Sequence, residues 1–267
     1  MKRKLNILTI LYLFFLVLLF LSGSINGILG EIVYYLAFIL PLGVGVYLSR
    51  GEYFDAGFKM DREKLRFTLP LIMPTVAVVI VLAALTSFWI YVMTGRTNYV
   101  DLGDSFVLAI ISHALVPAVL EELLFRYLPI RFLSGRSERA AVFASAFLFA
   151  LIHHDLFSIP YAFVAGIVFM AIDLATGSII PSILIHFINN ALSVGIIIYG
   201  DNPAFVPTMY SIIGIATIIS IIFIIKRRRD YLDAAEFIFQ RDGEPIITPE
   251  MMLFAGITLT VAVAILL

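Results

Sequence analysis

The chain has 267 residues, of which 61% are hydrophobic and 14% are charged, and its net charge is -1 at pH 7. Soluble domains are about 45–50% apolar and about 25% charged, so this composition excludes an ordinary soluble protein, a disordered chain and a nucleic-acid binder. The chain has no cysteine, which excludes disulfides, thiolate catalysis and cysteine-ligated zinc. The remaining class is an all-α polytopic membrane bundle, forming a single domain over residues 1–267.

Continuous apolar runs predict eight or nine membrane-spanning helices in chain order. Lipid requires every backbone polar group to be satisfied internally, so runs of this length are expected to be helical. The segment 231–240 is expected to form a short interfacial helix. Nine spans are placed at 5–22, 31–48, 67–93, 106–130, 139–155, 159–176, 179–199, 206–225 and 250–267.

The distribution of Lys and Arg predicts the orientation of these spans. If the N-terminus lies inside and nine spans alternate, sixteen of the 18 basic residues fall in inside segments, Arg96 falls outside and Arg126 falls within a span. Such asymmetry follows the positive-inside rule. We therefore expect a multi-pass integral membrane protein with a cytoplasmic N-terminus, in the plasma membrane if its source is prokaryotic.

The fourth span carries charged residues at a depth where charge is costly. A charged side chain at the centre of a membrane helix costs at least about 2.5–3.5 kcal/mol, so such residues point to function. Glu122 and Arg126 are four residues apart and share a helix face, which predicts an ion pair. Glu121 points about 100° away, which leaves it available as a general base. Pro117 predicts a kink beside the pair, and a purely structural polar cluster is the alternative.

Two later spans carry further polar candidates. The fifth span ends with His153, His154 and Asp155, which are either functional or the edge of a loop. In the seventh span, His186 and Asn190 share one face and can both donate hydrogen bonds, either to a substrate or across helices.

Other polar residues and other intramembrane chemistries are weaker candidates. Asp173, near the inner end of span six, is either a further candidate or simply solvated, and His113, early in span four, is the other further candidate. The sequence has no H-E-x-x-H zinc motif, no G-x-S-x-G nucleophile motif and no Gly-Asp pair within a span.

Three motifs in this order resemble those of the CAAX protease and bacteriocin-processing (CPBP) family, to which the type II CAAX prenyl endopeptidases belong. They are Glu121-Glu122-x-x-x-Arg126, Phe149-x-x-x-His153 and His186-x-x-x-Asn190. The resemblance covers about residues 106–195 and implies a bundle of about eight helices with a cavity inside the membrane. It also implies proteolysis by a glutamate-activated water, without a covalent intermediate, on a membrane-associated and prenylated protein substrate.

The resemblance implies a role for each motif residue. Glu121 would be the base, His153 would orient and activate the water, and His186 with Asn190 would form the oxyanion hole. Glu122 and Arg126 would support the site. A ninth span departs from the family pattern, and His154 beside His153 leaves the choice of histidine dependent on the phenylalanine spacing.

Two alternatives to a metal-independent endopeptidase stay open from the sequence. Glu121, His153 and His186 make a chemically possible zinc set, although no cofactor or metal is expected. A non-enzymatic membrane protein, such as a bacteriocin-immunity factor or a transporter, is the second alternative. The expected partners are the bilayer and a membrane-associated or lipidated peptide or protein substrate, with no nucleic acid.

Overall fold

The protein is all-α in a computed structural model, as the composition predicts. The structure describes residues 2–50, 57–95, 102, 105–133, 137–153, 158–239 and 249–266. Ten helices are present in these residues: α1 (Lys2–Ser24), α2 (Ile28–Leu48), α3 (Arg62–Thr94), α4 (Phe106–Leu133), α5 (Glu138–Leu151), α6 (Ile159–Thr176), α7 (Ile180–Ile198), α8 (Phe205–Lys226), α9 (Arg228–Phe239) and α10 (Pro249–Leu266).

Seven of these helices are long and apolar enough to cross a membrane, whereas the sequence pattern predicts eight or nine spans. They are α1, α2, α3, α4, α6, α7 and α8, so the chain is a multi-pass integral membrane protein. The predicted span 139–155 corresponds to α5, which has only 14 residues, of which ten are buried among the other helices. At 1.5 Å per residue α5 is about 21 Å long, and a bilayer core is about 30 Å thick. The apolar run therefore reflects burial in protein rather than contact with lipid.

The last predicted span, 250–267, corresponds to α10 (Pro249–Leu266). Side chains are described for part of this helix, and that part contains the apolar stretch Met251–Thr260. Met251 and Phe254 are fully buried and belong to the same apolar cluster as residues of α1. The helix α10 therefore packs on the bundle, and its crossing of the membrane stays a prediction.

The main core lies where α1, α2, α4 and α5 meet. Phe15 contacts Phe38 and Phe125 with ring centroids 4.8 and 5.8 Å apart, and all three side chains are buried. The neighbouring helices α5 and α6 approach closely at Gly166, where an added Cβ would lie 2.8 Å from the Cα of Ala146. Small residues at this crossing let the two backbones pack as membrane helices do.

Contacts between distant segments gather the basic helix ends at one end of the bundle. Arg131 at the end of α4 donates from Nε to the Oγ of Ser49 after α2, over 2.9 Å. Tyr231 of α9 donates to the carbonyl of Phe67 near the start of α3, over 3.2 Å. The turn between α6 and α7 forms an isolated parallel bridge with Gly57. We call this the basic end of the bundle.

Candidate active site

The glutamate pair of α4 lies between two irregular stretches of that helix. Ile110–Leu115 and Leu123–Tyr127 are π-helical, and Val116–Glu122 between them is α-helical. Pro117 lacks the N–H that the preceding turn would use, which accounts for an irregularity at this point. Single π-helical turns inside α-helices are frequent at functional sites.

Side chains from two other helices satisfy the carbonyls of the second π-helical stretch. The hydroxyl of Tyr12 on α1 donates to the carbonyl of Leu124 over 3.0 Å. Ser145 on α5 donates through its Oγ to the carbonyl of Phe125. All four residues are fully buried, so these bonds form without competition from water. The sequence patterns did not single out Tyr12 or Ser145, since the contacts depend on how distant helices pack.

Glu122 is fully buried and binds Arg126, His186 and Ser182. Its Oε2 lies 3.0 Å from the Nε of Arg126, which is the predicted pair on one helix face. Its Oε1 lies 2.7 Å from the Nδ1 of His186 on α7. The carboxylate therefore joins α4 to α7 as well as neutralising Arg126. The contact with His186 was missed by sequence reasoning because it joins residues 64 positions apart.

The contact with Glu122 fixes the orientation of the His186 ring. A carboxylate only accepts hydrogen bonds, so the Nδ1–H of His186 is the donor. The other ring nitrogen, Nε2, then faces Glu121, whose Oε2 lies 3.9 Å away. Nε2 can donate into the cavity only when both ring nitrogens carry a hydrogen, since a neutral imidazole has a single donor.

Arg126 completes the buried part of the site. Its side chain is fully buried, and its guanidinium carbon lies 4.1 Å from the ring centroid of Phe149 and 5.3 Å from that of Phe169. These distances are within the range of cation–π interactions. Its two terminal nitrogens donate no hydrogen bond within the described part of the chain. The charge of Arg126 is therefore balanced by Glu122 and by the aromatic faces.

His153 presents one ring nitrogen to the site. Its Nδ1 lies 2.9 Å from the carbonyl oxygen of Phe149, one turn earlier on α5. A carbonyl oxygen only accepts, so Nδ1 carries the hydrogen and the Nε2 of the neutral ring is an acceptor. His153 is also within electrostatic range of Glu121. His154 and Asp155, the other polar residues predicted at this position, lie outside the described residues.

Asn190 is oriented by its neighbour. The Nδ2 of Asn189 donates to the Oδ1 of Asn190 over 3.2 Å. This leaves the two N–H groups of the Asn190 amide as donors toward the site. Sequence reasoning named Asn190 and gave Asn189 no role.

Glu121, His153, His186 and Asn190 line one cavity of about 1040 Å³. They come from α4, α7 and the end of α5, so the cavity brings together three separate segments of the chain. The side chain of Glu121 is 16% exposed and that of His186 is 8% exposed, so both reach the cavity from a largely buried position. A carboxylate, two imidazoles and an amide around one space can bind and polarise a water and a carbonyl group.

Comparison with known families covers this part of the chain. Residues 103–192 match the family model described as type II CAAX prenyl endopeptidase Rce1-like. Residues 103–192 form an Rce1-like CAAX prenyl endopeptidase domain. The match spans about a third of the chain and includes all three motifs. Searches of the curated proteins and of the solved structures gave no match.

The helices that precede the Rce1-like domain also contribute to its cavity. Tyr34 of α2 and Val79 of α3 line the same space as Glu121. His113, a weaker candidate from the sequence, also lines the cavity, and it lies in the π-helical stretch of α4 that precedes the glutamates. The cavity is therefore lined both by residues of the matched region and by residues that precede it in the sequence.

Asp173, the remaining polar candidate, has a structural position in the Rce1-like domain. Of the two alternatives that the sequence left open for it, solvation is wrong, because Asp173 is fully buried. Its Oδ1 accepts from the backbone N–H of Ser182 over 3.1 Å, near the start of α7. The first N–H groups of a helix lack partners within the helix, so a buried acceptor is favourable there. Asp173 thus anchors the helix that carries His186.

The alternative of a zinc site gains no support from the geometry. Across the residues that the structure describes, no three His, Asp or Glu side chains stand close enough together to hold a metal ion.

Proposed function

We propose that this protein is an intramembrane endopeptidase that cleaves near the C-terminus of a membrane-associated substrate, with a glutamate-activated water and no metal. The family match supports a membrane endopeptidase of the CAAX type, for which prenylated proteins are the substrate class. The observation that carries the proposal is the position of His186, with Glu122 at 2.7 Å from one ring nitrogen and Glu121 at 3.9 Å from the other.

The first step is the attack of water on the scissile carbonyl carbon. Glu121 accepts a proton from the water while the oxygen forms its bond to the carbon. His153 orients the same water through Nε2, because its Nδ1 is bound to the carbonyl of Phe149. The product of this step is a tetrahedral intermediate with a negative oxygen, and no bond forms between substrate and protein.

The negative oxygen is stabilised by donors from α7. His186, with a hydrogen on Nε2 as well as on Nδ1, and the amide of Asn190 act as these donors, and both residues line the same cavity. One such donor contributes about 2.7–4 kcal/mol to transition-state stabilisation in other enzymes. Glu122 holds the ring of His186 through Nδ1, and Arg126 pairs with Glu122, so the buried pair acts through the histidine.

Collapse of the intermediate breaks the carbon–nitrogen bond. The proton that Glu121 took from the water passes to the leaving amine, either directly or through His153. The carboxylate of Glu121 is then ionised again, and the two products are a free carboxylate and a free amine. The proton balance closes without a metal or a cofactor.

We further propose that residues 1–267 act as one membrane domain with a cytoplasmic N-terminus, in the plasma membrane if the source is prokaryotic. The first point is supported by α1, α2 and α3, which line the cavity together with the motif helices. The second is supported by the shared position of the basic helix ends, because basic segments favour the cytoplasmic side.

The test is incubation of the purified protein in detergent with a farnesylated CAAX peptide and with the same peptide lacking the farnesyl group. Mass spectrometry of the products shows whether and where a peptide bond is cleaved. Cleavage of either peptide supports the endopeptidase, and a preference for the farnesylated one supports a prenylated substrate. Absence of cleavage of both peptides, with a folded protein, counts against the proposal and favours a non-enzymatic role.

A further inference from the structure

The cavity occupies one end of the bundle rather than its centre. On α1 and α2 its lining falls within residues 22–35, around the turn that joins the two helices. On α4 it falls within residues 112–121, in the half that precedes Arg126 and Arg131. On α7 it falls within residues 186–197, in the half that is remote from the turn after α6. Each helix therefore contributes the part that is remote from the basic end.

The cavity is open at its far end and closed at its floor. Asn26, Glu31 and Tyr35, which we call the mouth, line the cavity and are exposed. Toward the basic end, Glu122 and Arg126 are fully buried directly behind Glu121 and His186. The side chains are thus exposed at the mouth, largely buried at Glu121 and His186, and fully buried at Glu122 and Arg126.

Further buried side chains complete the floor. Asp173 and Ser182 are fully buried and bound to each other where α6 and α7 meet near the basic end. Phe125 and Leu128 are fully buried on the part of α4 that continues toward Arg131. Tightly packed interiors leave few voids larger than a water molecule, so a peptide cannot pass through this layer.

The charge distribution identifies the two faces of the membrane. Between residues 5 and 49, 67 and 95, 97 and 125, and 140 and 225 the sequence has no Lys or Arg. Those stretches contain all the residues that line the cavity and its mouth. Apart from Arg96 after α3 and Arg126 within α4, Lys and Arg lie at the starts of α1, α3 and α5 and at or after the ends of α2, α4 and α8. The positive-inside rule therefore places the floor on the cytoplasmic side and the mouth on the opposite side.

We infer that the substrate reaches Glu121 from the non-cytoplasmic half of the membrane. The scissile bond then belongs to an exported or membrane-anchored polypeptide whose cleaved segment lies on that face. A C-terminal tail held on the cytoplasmic face has no path through the buried floor. This inference rests on the proposed endopeptidase activity, and it replaces a prenylated tail on the cytoplasmic face with a polypeptide segment on the opposite face as the substrate.

The direction of access can be tested without any substrate. The chain has no cysteine, so each single-cysteine variant reports one position. Ser193 is exposed and lines the cavity, whereas Glu63 is exposed at the basic end near the start of α3. A membrane-impermeant maleimide added to spheroplasts should label Ser193→Cys and not Glu63→Cys. Inverted vesicles should give the opposite result, with the cysteine-free protein as background control.

A second experiment links the direction of access to catalysis. A soluble, impermeant quenched peptide with the CAAX-type sequence is added to right-side-out and to inverted vesicles, and detergent is then added to both. We expect cleavage in right-side-out vesicles before detergent, and in inverted vesicles only after it.

The outcomes separate the two proposals. Labelling of Ser193→Cys in inverted vesicles, or cleavage in intact inverted vesicles alone, overturns the inferred access path and leaves the endopeptidase intact. If no peptide is cleaved even in detergent, the proposed function fails, and the labelling pattern alone decides from which side the cavity is reached.

Discussion

Arg126 offers the sharpest test of how the buried part of the site is stabilised. Its side chain and that of Glu122 are both fully buried, and their charged atoms lie 3.0 Å apart. Arg126→Met keeps an unbranched apolar side chain between Phe149 and Phe169 and removes the charge. Glu122 then retains its hydrogen-bond partners His186 and Ser182 but has lost the charge that balances its own.

The expected effect on stability is large. Removing one partner of a buried ion pair lowers the free energy of unfolding by about 3–5 kcal/mol. For a chain of this size each kcal/mol corresponds to roughly 2–4 °C in Tm, so the fall should be roughly 6–20 °C. The loss of the desolvated contact with Phe149 acts in the same direction.

Thermal unfolding in detergent measures this effect, and Arg227→Met is the matched control. Arg227 forms a 2.7 Å pair with Asp230, but both side chains are partly exposed. Such surface pairs contribute about 0–1 kcal/mol, so this variant should unfold close to the wild-type Tm. The double variant Glu122→Gln/Arg126→Met should recover part of the loss, because it removes both buried charges. Equal Tm values for Arg126→Met and Arg227→Met would refute the reasoning.

Three further predictions concern catalysis. Asn190→Ala should lower kcat about 10²–10³-fold with little change in KM, since its amide acts on charge that develops in the transition state; unchanged kcat would exclude it from the oxyanion hole. Glu122→Gln should lower Tm and also kcat, because a neutral amide neither balances the charge of Arg126 nor holds the His186 ring as strongly as a carboxylate; a lower Tm with unchanged kcat would leave Glu122 a structural role only. Removal of metal by a strong chelator should leave the cleavage rate unchanged, and a rate that is lost to chelator and restored by zinc would contradict the metal-independent mechanism.

The local part of the site could be predicted from the sequence because it depends on helical spacing. The four-residue separation of Glu122 and Arg126 places them on one face of any helix, and the structure has them paired. The same spacing rule directs Glu121 elsewhere, and it lines the cavity. Helix periodicity carries no information on which helices become neighbours. The second partner of Glu122, His186, therefore required the structure.

The irregular backbone of α4 could be predicted only in part from the sequence. Pro117 indicates a kink near the glutamates, and a π-helical stretch does end at Leu115. The second stretch, Leu123–Tyr127, contains no proline. Its carbonyls are satisfied by Tyr12 and Ser145, which belong to helices far away in the chain.

The span count differs because hydropathy does not distinguish lipid from protein interior. Helix α5 is apolar because it is surrounded by other helices, and ten of its 14 residues are buried. By contrast, only 6% of the most apolar stretch of α8 is buried inside the protein, as is expected of a helix that faces lipid. Asp173 shows the same limitation for a polar residue, since its distance from a span end suggested solvation and its tertiary position is buried.

The central claim, that Glu121 activates the water, is tested most directly by comparing Glu121→Gln with Glu63→Gln in the peptide-cleavage assay. The two variants carry the same chemical change, at a cavity-lining position of α4 and at an exposed position of α3. The account predicts that Glu63→Gln cleaves at the wild-type rate, whereas Glu121→Gln falls to background while keeping the wild-type Tm. Cleavage by folded Glu121→Gln at the rate of Glu63→Gln would contradict it.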